Sequence, residues 1–448
     1  MITDIVILAA GQGTRMRSAK PKVLHTIAGK PMVEHVINQA QSIPDSRIHL
    51  VVGHGAEQVK AALSDYSVNF VTQSEQLGTG HAVAQALPSL TEGSRVLILY
   101  GDVPLTPADV MTAMLSQVTA NSMSLLTVEL ANPQGYGRIV RQSGAITAIV
   151  EHKDASDDQR QIREINTGIM AVSQSHLAKW LPTLSSDNAQ SEYYLTDIIA
   201  MAASEQVAVV GSQPAFEQLV QGVNNRQQQA ELERWYQRQL AEQLMAEGAT
   251  LADPARIDIR GELSTGSDCF IDINTLFEGK VELGNNVTVG ANCILKNCTV
   301  ADGSVIEPNS IIDQSTVAEN CTVGPYARLR PGTELAIGAK IGNFVETKKS
   351  LIGEGAKVNH LTYIGDAEIG AKVNVGAGTI TCNYDGVNKF KTVVGSGAFI
   401  GSNTSLVAPV SVGENAVIGA GSTITKDVED NALSVARGRQ LTKSNWKK

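Results

Sequence analysis

The sequence predicts an α/β domain followed by an all-β domain, the second a β-helix of hexapeptide repeats, with one helix between them. Three observations carry that expectation. Short unbroken apolar runs alternate with helical stretches through residues 1–226. Residues 227–247 turn polar, with apolar residues at helical spacing. Through 251–425 an aliphatic residue recurs at every sixth position, in runs. At 448 residues the chain is too long for one ordinary core, and the expected divisions are 1–226, 227–247 and 248–448.

In the first domain Val6-Ile7-Leu8-Ala9-Ala10, Ile48-His49-Leu50-Val51-Val52 and Val96-Leu97-Ile98-Leu99 are apolar or nearly so. Strands without alternation are buried on both faces, as in a mostly parallel sheet covered by helices. In the connecting segment Leu232, Trp235 or Tyr236, Leu240 and Leu244 share one helical face, and Gly248 is a natural stop.

In the second domain Val317, Val323, Leu329, Leu335 and Ile341 keep the six-residue period, and so do Val394, Ile400, Leu406, Val412, Ile418 and Ile424. Three hexads make one triangular coil with the branched side chain inward, and a corner can absorb a one-residue slip between runs. A Gly/Val-rich sandwich would show alternation within strands instead. Two places depart from the period. At 343–349 an inward aliphatic is missing, and 381–392 reads as a loop inserted between coils. Insertions in solenoids leave the core and gather on a working face.

The net charge of −9 offers no basic face for nucleic acid, although a local cluster of cations can still bind an anionic substrate. Cys269, Cys293, Cys298, Cys321 and Cys382 form no CxxC pair and read as reduced, mostly buried thiols. The apolar run 5–10 is too short for a signal peptide or a membrane span. The expectation is a soluble cytoplasmic protein that binds neither nucleic acid nor membrane.

The first strand leads into Gly11-Gln12-Gly13-Thr14-Arg15-Met16 and then Lys20-Pro21-Lys22. Glycines after a buried strand let backbone N–H groups approach a phosphate, and Arg15 and Lys22 supply charge for a polyphosphate leaving group. Neither the GxGxxG dinucleotide fingerprint nor a Walker loop is present. Asp102, after Tyr100-Gly101, stands at the carboxyl end of a parallel strand, where such sheets bind ligands. It could cap the next helix, but beside a phosphate loop it suits Mg²⁺, which takes one or two carboxylates plus substrate phosphates. The β-helix holds a single histidine, His360, placed after one departure from the repeat and before the loop bearing Asn383-Tyr384. A lone histidine is usually structural, but this placement suits removal of a proton from an attacking amine.

The ordered set LAAGQGTRM…PK, Gln73, Gln76-Leu77-Gly78-Thr79-Gly80, Tyr100-Gly101-Asp102, Gly137, Glu151, Asn166 and Asn224 resembles the signature of the sugar-nucleotide pyrophosphorylases. Joined to a hexapeptide β-helix, the chain resembles along essentially its full length the bacterial bifunctional N-acetylglucosamine-1-phosphate uridyltransferase / glucosamine-1-phosphate N-acetyltransferase family. That resemblance implies a Rossmann-like nucleotidyltransferase domain, a left-handed parallel β-helix, and a homotrimer with acetyltransferase sites at chain interfaces. It implies that Leu8, Ala9, Ala10 and Gly11, with Gln73, Gly78, Thr79, Tyr100 and Gly101, hold the uridine nucleotide of UTP. Arg15 and Lys22 would neutralise its phosphates, and Asp102 and Asn224 would hold Mg²⁺. Gly137, Glu151 and Asn166 would hold the sugar of N-acetylglucosamine-1-phosphate.

In the second domain the resemblance makes His360 the general base as the amine of glucosamine-1-phosphate attacks acetyl-CoA. Asn383 and the Ser402 region would orient the reactants or stabilise the oxyanion. Arg330 and Lys348 would bind the sugar phosphate, and Tyr363 and Asn374 the sugar. Ala377, Tyr384, Ala420 and Arg437 would contact coenzyme A. The acid-free tail carrying Arg437, Arg439, Lys443, Lys447 and Lys448 would face its phosphates. An alternative keeps only the nucleotidyltransferase and makes the β-helix structural or regulatory, but such a domain has no use for His360 or the inserted loop. A zinc site of three histidines within one chain is excluded by the single histidine.

Overall fold

The computed structural model describes residues 2–446. They fall into two compact units that part between Trp235 and Tyr236, within the helix Arg226–Ala246.

The first unit is built on a nine-stranded sheet. Its central strand, Thr3–Ala9, is buried at every residue and pairs in parallel with Ser46–Val52 on one side and Arg95–Tyr100 on the other. The polar member of the second run, His49, is accommodated because its Nε2 lies 3.0 Å from the buried Asp4 carboxylate. The sheet is more mixed than the apolar runs imply. Glu164–Ser173 lies antiparallel between Arg95–Tyr100 and Ser122–Glu129. It follows the hairpin Arg138–Gln142/Ala145–Val150, and a strand fed by a hairpin returns without the long crossover that parallel pairing needs. Apolar clusters cover both faces, so the carboxyl ends of the three central strands are left as the open edge.

The helix Arg226–Ala246 ends before Gly248, whose φ of 108° is open to glycine. Within the second unit Gln237, buried on this helix, donates to the Ile259 carbonyl at 2.7 Å and accepts from the Ile259 N–H at 2.8 Å. Those bonds occupy backbone groups of the first long strand, Ile257–Thr265.

Beyond it the strands stack into coils, forming one eleven-stranded and one fourteen-stranded sheet. Among the described residues the ladders between these strands are parallel. Along one side Val323, Ile341, Val358, Val375, Ile400 and Ile418 sit above one another, at intervals of 18, 17, 17, 25 and 18 residues. The alternation of 17 and 18 is the one-residue slip, and the interval of 25 contains the inserted loop. Corners are turned by left-handed residues, among them the column Asn292, Asn309, Tyr326, Phe344, Leu361, Gly378, Asn403 and Gly421. The expected break at 343–349 is a substitution rather than an interruption. Thr347 takes the inward position, fully buried, with its hydroxyl 3.0 Å from that of Thr333. The cysteines are free, and burial pushes the Cys293 thiol up to about 11 and the Cys298 thiol to about 12, which leaves them unreactive.

Ile341 is fully buried in the aliphatic core of the coils. Truncation by Ile341→Ala is expected to cost about 2–5 kcal/mol, because stacked coils collapse poorly around a void. The check is the guanidinium midpoint of the β-sheet circular dichroism signal, which should fall; an unchanged midpoint counts against this core.

Candidate active sites

The open edge of the first unit carries a cleft of about 220 Å³ lined by Leu8, Ala9, Ala10, Gly11, Lys22, Gln73, Gly78, Thr79, Tyr100 and Asp102, all expected from the sequence, and by Gln76 and Glu192. The two loop glycines differ in role. A Cβ on Gly11 would meet nothing within 4 Å, so this backbone is open to a ligand. Gly13, at φ 63°, is required because a Cβ there would lie 2.6 Å from that of Lys22. Gly101 packs against the end of the first strand, its N–H donating to the Leu8 carbonyl at 2.9 Å.

At one end of the cleft the Lys22 ammonium forms a close ion pair with Asp102 and lies 3.3 Å from Asn224 Oδ1. Arg15 Nη2 donates to the same Asn224 oxygen at 2.9 Å. Four residues spread over two hundred positions thus meet at one point of alternating charge. Gly137, Glu151 and Asn166 do not line the cleft, but they adjoin one another beyond Tyr100. The Asn166 N–H donates to the Gly137 carbonyl at 2.9 Å, and Glu151 accepts from the Thr196 hydroxyl at 3.3 Å. Burial, then the Glu151 and Asp102 carboxylates, raise the Tyr100 phenol above its ordinary range, so it stays a neutral donor. Gly168, which lies outside the signature motifs, also shapes the site. At φ 87° it leaves room for the Tyr100 ring, and its N–H donates to Asn166 Oδ1 at 2.9 Å. The run Asn166-Thr167-Gly168 is a turn signal that could have marked it.

In the second unit the coil repeat gathers the expected residues into two sets. Ala377, Ser402 and Ala420 lie on successive coils beyond His360 at one corner. The bonds along it run from the Gly378 N–H to the His360 carbonyl at 3.4 Å and from the Asn403 N–H to the Ala377 carbonyl at 2.7 Å. The Gly421 N–H donates to the Ser402 carbonyl at 2.8 Å. Arg437 continues the column, its guanidinium donating to the Ala420 carbonyl at 2.7 Å. Lys447 and Lys448 of the basic tail lie outside the described residues.

The second set is cationic. Arg330 donates to Glu346 at 2.7 Å, and Glu346 is the register partner of Tyr363 on the next coil. The Lys389 ammonium beside Lys348 pulls the latter below the ordinary lysine range, with Arg330 adding to the effect. Two facing ammonium groups are a seat for an anion. Lys389 belongs to the inserted loop, and only its charge could have marked it. Asn374 lies on the strand stacked against that of His360. Asn383, at the root of the loop, is nearly buried and donates to Asp366 at 2.5 Å, while Tyr384 stands exposed with its hydroxyl on the Gly386 carbonyl.

Three family models match the chain: the MobA-like NTP transferase domain over residues 5–165, the GMPPB C-terminal domain over 259–337 and the bacterial transferase hexapeptide over 391–426. Full-length relatives are similar throughout. A protein named Bifunctional protein GlmU from Marinobacter nauticus is 62% identical, covering 99% of this chain and 98% of its own length. Namesakes from Saccharophagus degradans and Pseudoalteromonas atlantica are 62% and 53% identical, each over at least 99% of this chain and 98% of their own. Among solved structures, a nucleotidyl transferase from Methanothermobacter thermautotroptrophicus is 17% identical with a TM-score of 0.40, covering 53% of this chain and 99% of that one.

Burial holds the Glu151 carboxyl above its ordinary range, with Asp154, Asp197 and Glu192 adding repulsion. A carboxyl raised on folding contributes stability that is present below its unfolded pKa and lost as pH rises through the raised value. Glu151→Gln is therefore expected to raise the denaturation midpoint at neutral pH, with the difference closing as pH falls to the unfolded carboxyl range. Identical midpoints at every pH would contradict the raised pKa.

Proposed function

The chain belongs to the family of bifunctional GlmU proteins, and from that membership we propose how its two sites work. It is a bifunctional enzyme with uridyltransferase and acetyltransferase activities. In the proposed sequence, acetyl transfer from acetyl-CoA to glucosamine-1-phosphate comes first. Uridylyl transfer from UTP to the N-acetylglucosamine-1-phosphate so made follows and releases pyrophosphate. The observation that carries the reading is the corner column, in which the only histidine of the β-helix stands directly before three small residues and Arg437.

At the second site the Nε2 of His360 would take the proton of the attacking amine, which bonds to the acetyl carbon as the C–S bond breaks. The proton then leaves with the thiol of coenzyme A. Arg330, Lys348 and Lys389 would seat the sugar phosphate, with Tyr363 and Asn374 on the sugar. Ala377, Ser402 and Ala420 are small enough for the acyl donor to lie along them, and Arg437 would meet its phosphates. Asn383 and Tyr384 would bound it on the loop side.

At the first site the sugar phosphate attacks the α-phosphorus of UTP and pyrophosphate leaves, a reaction that needs positioning and charge neutralisation above all. Arg15 and Lys22 would neutralise the triphosphate, while Gly11, Gln73, Gly78 and Thr79 hold the nucleotide. Glu151, Gly137 and Asn166 would hold the sugar. The donor set of Asp102 and Asn224 fits Mg²⁺: one carboxylate and one amide oxygen already converge on a single cation, the Lys22 ammonium. When bound, Mg²⁺ would supply charge neutralisation on the phosphates. Lys22, released from Asp102, would turn to them as well.

A cytoplasmic homotrimer with shared acetyltransferase sites is part of the proposal. Exposed Tyr326, Phe344 and Leu361, stacked beside His360, support an apolar contact between chains. Among the described residues no helix is long and apolar enough to cross a membrane. Light scattering should give about three times the chain mass of 47.5 kDa, and a monomer mass would contradict it. His360→Ala is expected to abolish glucosamine-1-phosphate-dependent thiol release from acetyl-CoA and to spare pyrophosphate release from UTP. Asp102→Ala should do the reverse, and a shared loss in either variant speaks against two separate sites.

A further inference from the structure

We propose that Asn343 is a positioning residue for acetyl transfer: its side-chain oxygen holds His360 in the tautomer that leaves Nε2 free as the base. The inference rests on the acetyltransferase reading of His360 and adds to it a residue 17 positions earlier, one coil away.

His360 Nδ1 and Asn343 Oδ1 are 2.7 Å apart. An amide oxygen has no proton to give, so the ring proton must be on Nδ1, and the lone pair is left on Nε2. In the other tautomer Nε2 would carry the proton, and the ring could not accept one from an amine there. Both backbones are held firmly enough for this bond to fix the ring. Asn343 and His360 are register partners on the stacked strands Lys340–Asn343 and Lys357–His360. The His360 carbonyl accepts from the Thr362 hydroxyl at 2.6 Å and from the Gly378 N–H at 3.4 Å. The Leu361 N–H donates to the Asn343 carbonyl at 3.1 Å. The preceding pair is closer still. A Cβ on Gly342 would overlap the carbonyl group of Asn359, so only glycine lets the two coils approach at this point.

No carboxylate stands in for the amide. On the strands stacked with His360, the ionisable groups are Lys340 on the Asn343 side and Lys357 on its own strand, while Asn374–Val375 brings none. A neutral amide oxygen fixes the tautomer without setting a negative charge beside the ring, and a base must be free to accept a proton when the amine arrives. Asparagine meets both requirements where aspartate would meet only the first.

The test uses the full chain with Asn343→Ala, Asn343→Asp and His360→Ala, assayed for both reactions across pH. Asn343→Ala is expected to lower kcat of acetyl transfer about 10- to 100-fold, as loss of an orienting partner does at other histidine sites, with KM for glucosamine-1-phosphate changed less than about 2-fold. Asn343→Asp should restore most of kcat well above pH 7 and move the acid limb of the profile to higher pH, because a carboxylate favours the protonated ring. Uridylyl transfer should be unchanged in both. The proposal is overturned if Asn343→Ala keeps the parent kcat, or if Asn343→Asp is as inactive as Asn343→Ala at every pH. If His360→Ala itself retains full thiol release, the reading beneath the proposal fails, and that result is distinct from the other two.

Discussion

Everything in the second unit depends on one constraint: each coil must lie in register on the coil before it. The backbone groups of a parallel ladder have no other partners, and a slipped strand would turn its aliphatic residues to solvent. The constraint converts sequence distance into spatial order. Residues 17 or 18 apart are neighbours, so Asn343, His360 and Ala377 meet although the chain circles the core between them. It also decides where extra chain can go. The interval of 25 between Val375 and Ile400 leaves both ladders intact because its surplus exits at one turn. That surplus delivers Lys389 next to Lys348, which the repeat alone could not do.

The first unit solves a different problem, that of holding opposite charges together at the rim of an apolar sheet. Asp102 is largely screened from solvent and would be costly to leave alone. Lys22 pairs with it, and Asn224 accepts from both Lys22 and Arg15. Asp102 offsets only one of the two cations, so the cluster keeps a net positive charge at the rim of the sheet. Gly13 makes this possible locally, because the loop must pass against the Lys22 side chain.

Both architectures were legible in the sequence, for a physical reason: burial on two faces leaves unbroken runs, and a three-sided coil leaves a period of six. The antiparallel strand Glu164–Ser173 was not, because strand direction depends on the connection, and its apolar content looks the same either way. At the sites, residues with unusual chemistry for their surroundings stood out: Arg15, Lys22, Asp102 and His360. Several of their neighbours did not. Asn343 is one asparagine among many in the coils, and its bond to His360 follows from the coil register, which no local motif displays. Glu192 reaches the cleft from a loop far along the chain, and Gly168 matters only because the Tyr100 ring lies over it. The segment 343–349 reads as a departure from the period because Thr347 stands where an aliphatic residue is expected. Inside the coil its hydroxyl is satisfied by Thr333.

The corner column beside His360 changes character at that residue. Asn292 and Asn309 turn it in the left-handed region, which asparagine tolerates. Tyr326, Phe344 and Leu361 then do so at φ 56°, 57° and 50°. For such side chains the conformation costs about 1–2 kcal/mol each, and they are also more than half exposed. Stacking of the Tyr326 and Phe344 rings at 5.3 Å returns only part of that cost. Beyond His360 the column reverts to Gly378, Asn403 and Gly421, beside Ala377, Ser402 and Ala420. Bulk therefore stops at the histidine, and a shallow strip of small residues begins there. On the proposed reading the two halves have opposite tasks. The bulky half presents an apolar wall to a neighbouring chain, and the small half leaves the length of an extended acyl donor uncovered. The three bulky left-handed residues lie on the coil of His360 and the two coils before it, and backbone strain of this kind often accompanies function.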